Sequence, residues 1–337
     1  VFATAILPAL RKRYPEARIT WVVETESKEM VAHNPRLDRV IVLPRSDWKR
    51  ALKRGRLITA LKGLRSFLRE LRSERYDLAL DIQGILRSGL VAWGSGARRR
   101  IGLGSAEGSG LFMHQVVPST GHPHERKLSS QYLHFAEVLG LEPGDFPMDV
   151  VPAATVEQSA REKLAAEGLA EGGFLTFVPF TTRPQKHWFS ERWAALADLA
   201  ESQLGLPIVI MGGPDDQVAM EEIQAATSVP LYNLVGRTSL GEAAAIMKYS
   251  AAAVGVDTGL THLSIAFGRP TVTLFGSTLP YLDPPNSVTR ILHEPMACSP
   301  CRKSPTCGGE WSCMRALDVP RVMAALAEVC AGPQEGR

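Results

Sequence analysis

The chain has 337 residues, 45% hydrophobic and 22% charged, with a formal net charge of +3, the composition of an ordinary soluble globular protein long enough for two domains. No apolar run reaches the roughly 18–20 residues that cross a bilayer and no secretory pattern opens the sequence, so a cytoplasmic protein is expected. Residues 1–150 carry 24 Lys+Arg against 16 Asp+Glu while residues 151–337 carry 14 against 19; a basic half calls for an anionic partner, and without a zinc-finger, RNP or helix-turn-helix signature that partner is not expected to be nucleic acid.

Val1 to Pro15 reads as an amphipathic helix running directly into a strand, Arg18 to Val23. A doubly wound domain normally has a strand and turn ahead of such a helix, so a first strand upstream of Val1 is expected. A polar helix follows Glu24, then the strand Val40 to Leu43 and a basic, irregular segment from Arg45 to Arg56. Leu57, Leu61, Leu64, Leu68 and Leu71 then recur at steps of four and three, predicting a helix with a single buried stripe. Tyr76 to Asp81 reads as a strand and Ile82-Gln83-Gly84 as the turn after it, and the alternation through Gly102 predicts a parallel sheet with helices on both faces.

A linker rich in proline and glycine, from about Gly140 to Glu157, divides the chain into residues 1–152 and 153–337. A second alternation then begins. Phe174 to Val178 is a strand, Ser190 opens a helix through Leu204, and Pro207 to Met211 is a strand closed by Gly212-Gly213-Pro214. Ser239 opens a helix leading into the strand Ala251 to Val256, the turn Asp257-Thr258-Gly259, a short helix from about Leu260 to Phe267, and the strand Thr271 to Phe275. The expected architecture is α/β, two Rossmann-like domains in tandem.

In such units ligands bind at the carboxyl ends of the strands. Two of these ends, Asp257-Thr258-Gly259 and Gly276-Ser277-Thr278, carry small polar residues that let a ligand approach the backbone. Asp257 could instead cap the helix that follows, with His262 packing on its first turn. A third end, Thr181-Thr182-Arg183-Pro184-Gln185-Lys186-His187-Trp188, offers two hydroxyls and two cations, which suit a diphosphate, or else forms a solvated turn anchored by Trp188.

Thr181-Thr182-Arg183 with Lys186-His187-Trp188, together with Asp257-Thr258-Gly259-Leu260 and His262, resembles the nucleotide-sugar site of glycosyltransferase family 9. These are ADP-heptose lipopolysaccharide heptosyltransferases, and the likeness is to those of the heptosyltransferase I type. Tyr76 to Gly84 and Leu7-Pro8-Ala9-Leu10 are also similar to that family, so the resemblance covers nearly the whole chain. It implies the GT-B fold, two Rossmann-like domains facing a central cleft, and an inverting, metal-independent transfer of heptose to the Kdo/heptose inner core, with no cofactor. The first domain would bind the acceptor, Kdo-lipid A or inner-core lipopolysaccharide, and the second the nucleotide sugar, with the enzyme peripheral to the cytoplasmic face of the inner membrane.

Residue by residue, the resemblance implies that Thr181, Thr182 and Lys186 hold the diphosphate of ADP-heptose and that Asp257 accepts from sugar hydroxyls. Thr258 and Gly259 would offer amides near the phosphates, with His262 close by. A helix N-terminus favours an anion there independently. Lys186 would stabilise departing ADP. Glu242 resembles an acidic residue of the family that meets the nucleoside, and Ser239-x-x-Glu242 is equally a capping box. The family's base is an aspartate expected upstream of Val1; Asp81 is a conceivable substitute, with a turn carboxylate as the commoner explanation.

The basic segment resembles the region that meets the Kdo and phosphate groups of the acceptor, through Arg45, Lys49, Arg50, Lys53, Arg54 and Arg56, helped by Arg98-Arg99-Arg100. Singly, each of these reads as a solvated surface charge; as a cluster they suit an anionic glycolipid. Cys298, Cys301, Cys307 and Cys313 lie within sixteen residues, a spacing that raises a structural metal, although partly packed free thiols are the expectation. The alternatives are a family member using another sugar nucleotide, a sugar-nucleotide epimerase, and a nucleotide-sugar-binding protein that has lost its base.

Overall fold

The computed structural model describes residues 1–104, 107–279, 281–301 and 304–332. The chain forms two compact units: Phe2–Glu125 with Ser129–Val151, and Arg126–Leu128 with Pro152–Arg337, the latter also taking in Val1.

The first unit opens on a 3-10 turn, Phe2–Ala5, and helix α1 (Ile6–Arg13). Strand β1 (Thr20–Glu24) pairs in parallel with β2 (Arg39–Leu43), Val22 opposite Ile41. The polar stretch between them is a 3-10 helix, Thr25–Met30, not an α-helix. Helices α2 (Arg45–Lys53) and α3 (Leu57–Leu71) follow, then β3 (Leu78–Asp81), α4 (Leu86–Gly94), β4 (Arg99–Leu103), β5 (Gln115–Val117) and α5 (Ser130–Val138). Strands β3, β4 and β5 form a separate parallel sheet in that order. Ile101, Leu103 and Val117 of this sheet bury against Ile6 and Ala9 of α1 and Leu133 and Phe135 of α5.

Two sequence expectations change here. The segment Arg45–Lys53 is helical, not irregular. Pro44 stands at its N-cap, where a missing amide costs nothing, and Trp48 packs edge-on against Phe67 with ring centroids 5.7 Å apart. Nor is the leucine stripe of α3 buried as a whole: Ala60, Phe67 and Leu71 face the core, while Leu57, Leu61 and Leu64 are exposed. Phe67 and Leu71 dock on Ile41 and Leu43 of β2, and with that face against the core the leucines at the N-terminal end of the helix turn outward.

The second unit begins with α6 (Ala154–Ala166) and continues through β6 (Leu175–Val178), α7 (Ser190–Leu204), β7 (Ile208–Ile210), α8 (Gln217–Ala225), β8 (Leu231–Asn233) and α9 (Leu240–Tyr249). Then come β9 (Ala252–Val256), α10 (Gly259–Ala266), β10 (Thr271–Phe275), β11 (Thr289–His293), a short α11 (Ser312–Arg315) and α12 (Val319–Cys330). Its six strands form one parallel sheet in the order β11-β10-β9-β6-β7-β8. Both faces are covered, so β6, β7, β9 and β10 are buried at every residue, apolar except for the threonines of β6 and β10. Helix α7 touches α8 and α12, and α9 touches α6 and α10.

The order of strands fixes where this unit can bind something. From β6 the chain winds outward through β7 and β8, then returns to lay β9 on the other side of β6. Adjacent strands whose connections leave in opposite directions open a crevice at their carboxyl ends. In this sheet that point lies between β6 and β9.

Candidate active site

The turn after β6 is built to project Lys186. Trp188 is buried and donates its Nε1–H to the Leu317 carbonyl at 2.9 Å, meeting Trp193 edge-on at 5.2 Å. His187 Nε2 lies 2.7 Å from the Thr181 carbonyl, tying the two ends of the loop together. Between them Pro184–Lys186 is a single 3-10 turn. Thus the aromatic anchor and the cationic turn, alternatives in the sequence, are both present: the anchor holds the cation in place.

Asp257 leaves β9 beside this turn and gathers three side chains around one carboxylate. Lys186 Nζ donates to Oδ2 at 2.6 Å and approaches the Asp257 carbonyl at 3.4 Å. His262 Nε2 lies 3.0 Å from Oδ1, and Thr278 Oγ1 donates to Oδ2. His262 Nδ1 lies 3.2 Å from the Tyr281 hydroxyl. The imidazole donates from Nε2 to Asp257, and its other ring nitrogen meets the Tyr281 hydroxyl. The capping alternative for Asp257 does not hold, since no side chain caps α10 and its N-cap residue is Thr258.

The close seat of α10 on β9 explains Gly255. A Cβ there would lie 2.1 Å from Thr261 Oγ1 and 3.0 Å from Val178 Cβ, while Thr261 Oγ1 donates to the Val256 carbonyl at 2.8 Å. With no side chain at 255 the helix sits low enough for His262, on its first turn, to reach back to Asp257.

Electrostatically the cluster holds a fixed anion. Burial alone would raise the Asp257 pKa, but the hydrogen bond and charge of His262, then the Lys186 ammonium and the Thr278 hydroxyl, outweigh it and hold the carboxyl well below the usual carboxylate range. Burial, followed by the Asp257 charge, pushes the Tyr281 phenol well above its ordinary value, so it remains protonated. Lys186 and Asp257 side chains are 16% and 12% exposed, buried enough to interact strongly and open enough for a ligand to reach them.

Of the residues singled out in the sequence, Lys186, Asp257 and His262 are brought into direct contact. Thr181 and Thr182 stand at the head of the Lys186 turn, Thr182 exposed. Thr258 and Gly259 open α10, with Gly259 exposed and nothing within 4 Å of where its Cβ would be. Glu242 is not part of the cluster. It closes the capping box of α9, accepting from the Ser239 amide at 2.8 Å, and accepts from Ser159 Oγ at 2.6 Å. The sequence reading placed Thr278 at one of the two candidate strand ends but gave its side chain no partner, and it missed Tyr281, three residues further on.

In the first unit, Arg45 pairs with Glu24 at 3.4 Å and Arg50 with Asp47 at 3.8 Å. Among the described residues Lys49, Lys53, Arg54 and Arg56 form no ion pair, and all four are exposed. Arg98 is instead paired with Asp77, Arg99 bonded to Gln115, and Arg100 to the carbonyls of Phe112 and Ala97. Asp81 is buried, its Oδ1 accepting from the amides of Gln83 and Gly84, which makes it the carboxylate that shapes the turn after β3. Cys298, Cys301 and Cys307 are partly buried and Cys313 buried, all as free thiols. Among the described residues no group of three or more His, Cys, Asp or Glu is placed to hold a metal ion.

Residues 64–311 match the model of glycosyltransferase family 9 (heptosyltransferase). The chain is similar to lipopolysaccharide heptosyltransferase 1 of Pseudomonas aeruginosa, 28% identical over 312 residues that span 89% of this chain and 82% of the other. It is also similar to lipopolysaccharide heptosyltransferase 1 of Escherichia coli K12, 26% identical over 285 residues, 82% of this chain and 84% of the other. Among solved structures, the family 9 glycosyl transferase of Veillonella parvula superposes with a TM-score of 0.84 at 22% identity, covering 98% of this chain and 94% of that one. Escherichia coli heptosyltransferase WaaC with ADP-2-deoxy-2-fluoro heptose superposes with a TM-score of 0.66 at 23% identity, covering 97% and 96%. The two superpositions bear out the fold class expected from the resemblance, the GT-B α/β type.

Proposed function

This chain belongs to glycosyltransferase family 9, the heptosyltransferases, and is a sugar-transferring enzyme, and from that premise we propose that it moves a heptose from ADP-heptose to the Kdo/heptose inner core of lipopolysaccharide with inversion. The observation that carries this reading is the Lys186–Asp257–His262 cluster at the point where β6 and β9 diverge. A mobile ammonium, an exposed helix start and a fixed carboxylate are the three groups that a sugar diphosphate needs.

In this reading the diphosphate enters between the Thr181-Thr182 hydroxyls and the first-turn amides of α10, at Thr258 and Gly259, where the helix dipole favours negative charge. Lys186 swings its ammonium from Asp257 to the phosphate oxygens. Asp257, still held by His262 and Thr278, accepts from hydroxyls of the heptose, and Glu242 meets the nucleoside from the end of α9. An acceptor hydroxyl then attacks the anomeric carbon from the face opposite the diphosphate. The new C–O bond forms as the bond to the β-phosphate oxygen breaks, ADP leaves with the electron pair, and the hydroxyl proton passes to a general base outside this cluster. Lys186 and the amides neutralise the charge growing on ADP, a role that needs no metal.

The second unit is accordingly assigned the donor and the first the acceptor. Arg45, Lys49, Arg50, Lys53, Arg54 and Arg56 would meet the anionic sugars and phosphates of Kdo-lipid A or inner-core lipopolysaccharide at the cytoplasmic face of the inner membrane. What supports the substrate choice is that both curated relatives described above are named lipopolysaccharide heptosyltransferases.

The test is transfer from ADP-heptose to a deacylated, Kdo-terminated core oligosaccharide, followed by mass spectrometry, with calorimetric titration of ADP-heptose against UDP- and GDP-sugars. A product one heptose heavier and selective binding of ADP-heptose are expected. Transfer from a different sugar nucleotide would keep the family and remove lipopolysaccharide heptose as the cargo.

A further inference from the structure

We propose that the outward face of α2 and α3, continued by α4, is a docking surface for an anionic lipid bilayer. The inference rests on the acceptor reading above in supposing that the substrate is lipid-anchored, but its evidence is separate from the nucleotide-sugar site.

Helix α3 has two apolar faces where a globular protein needs one. Ala60, Phe67 and Leu71 take the core. Leu57, Ile58 and Leu61, displaced around the helix from these, are 62%, 71% and 57% exposed. The neighbouring α4 adds Leu90 and Trp93 at 45% and 56%. The two helices are in contact, because Arg72 Nε donates to the Gly94 carbonyl at 2.7 Å and a Cβ on Gly94 would lie 3.2 Å from Leu68 Cδ2. Exposed apolar side chains on helices that touch in this way mark a surface that something covers.

Charge says what covers it. From Arg45 to Arg69 the chain carries nine basic residues and one acidic residue, Asp47. Lys62, Arg65 and Arg69 flank the exposed leucines on the side of α3 away from the core, and all three are exposed. A helix whose outward face carries leucines along one edge and lysine and arginine, with Ile58 among them, along the other lies in a membrane interface, with its apolar side chains among the acyl chains and its cations at the headgroups. A folded protein partner would be expected to meet basic residues with discrete acidic ones; a bilayer rich in phosphatidylglycerol presents a continuous anionic sheet, which suits a run of single-sign charge. The long stems of Lys and Arg lie along the apolar surface while their heads reach the phosphates.

The experiment is flotation of the full chain with phosphatidylcholine vesicles, with and without phosphatidylglycerol, comparing the parent with the double variant Ile58→Glu, Leu61→Glu. Both side chains are exposed, so the variant should keep the parent's thermal melt; if it does not fold, Leu57→Gln makes the same test. The parent should float with the anionic vesicles and not the neutral ones, less so as salt rises. The variant should lose at least tenfold in partitioning, while transferring to a deacylated acceptor at the parent's rate and losing rate on an acceptor embedded in vesicles. Equal flotation of parent and variant, or a parent that ignores anionic vesicles, overturns the proposal. So does a gel-filtration dimer that the variant dissolves, because the face would then be an interface between copies, and so does tighter binding to a nucleic-acid duplex than to vesicles. A parent that floats but transfers nothing from ADP-heptose leaves this surface standing and removes the proposed function.

Discussion

The Lys186 ammonium lies 2.6 Å from Oδ2 of Asp257, across the gap between the turn after β6 and the turn after β9. Neither side chain is free to relax into bulk water, and the carboxylate keeps two further partners, His262 and Thr278, when the lysine moves. The pair therefore acts as a catch: the anion stays where it is, and the cation can exchange it for a phosphate.

Replacing Lys186 by alanine leaves a buried carboxylate with one cation fewer. Breaking a well-buried pair costs about 3–5 kcal/mol; with His262 and Thr278 remaining, we expect about 2 kcal/mol here, read as a lowered midpoint in urea. Because the ammonium is also assigned to the leaving ADP, kcat should fall by about 10² or more. A variant of parent-like activity would remove Lys186 from the donor site.

Stability should depend on pH through Asp257. Its folded pKa lies below the unfolded value, so its contribution is fully present above about pH 4, the ordinary range of an unfolded aspartate, and is lost as pH falls toward the folded value. Asp257→Asn should accordingly be less stable than the parent by a constant margin between pH 5 and 8, on the order of 1–3 kcal/mol. That margin should shrink below about pH 4. Thermal melts of both proteins across this range check the sign.

Tyr281 supports His262 from behind. Tyr281→Phe removes the hydroxyl 3.2 Å from Nδ1 and leaves that nitrogen without this contact. A loss of about 1 kcal/mol in stability is expected, with less than about a tenfold fall in transfer, since the phenol touches the histidine and not the reacting atoms.

Gly255→Ala tests the seating of α10. A methyl group 2.1 Å from Thr261 Oγ1 and 3.0 Å from Val178 Cβ has to lift the helix, at a cost of about 3 kcal/mol, and donor affinity should fall with it because His262 and the first-turn amides move. Adding Thr261→Ala should recover part of the stability, which denaturation of the two variants would show.

Glu242 separates structure from binding by choice of replacement. Glu242→Ala loses the capping box and about 1 kcal/mol. Glu242→Gln can still accept from the Ser239 amide and should melt near the parent. If the carboxylate also meets the nucleoside as proposed, the glutamine variant binds ADP-heptose more weakly despite its normal stability, measured by calorimetry.

Much of this molecule follows from local pattern. Buried parallel strands are short runs of apolar and β-branched residues, as in Ala252–Val256 and Thr271–Phe275, and Ser239-x-x-Glu242 is legible as a cap because its hydrogen bonds span three residues. The helical state of Arg45–Lys53 escaped notice because only Trp48, Ala51 and Leu52 of its nine residues are apolar, and Trp48 packs on Phe67 of the next helix.

The sequence by itself determined the alternation of strand and helix, the residue types at the strand ends and the motif of the family. Only the tertiary structure decided which strand ends are neighbours. Lys186 and Asp257 lie 71 residues apart and meet because β9 returns to pair with β6. Thr278 joins them because β10 pairs with β9. In the same way α3 carries apolar residues around more than one face, and packing on β2 chose which of them the core takes. A side chain's type and local period are written along the chain, whereas its partner is set by which surfaces the whole sheet must bury, and that is a property of no single segment.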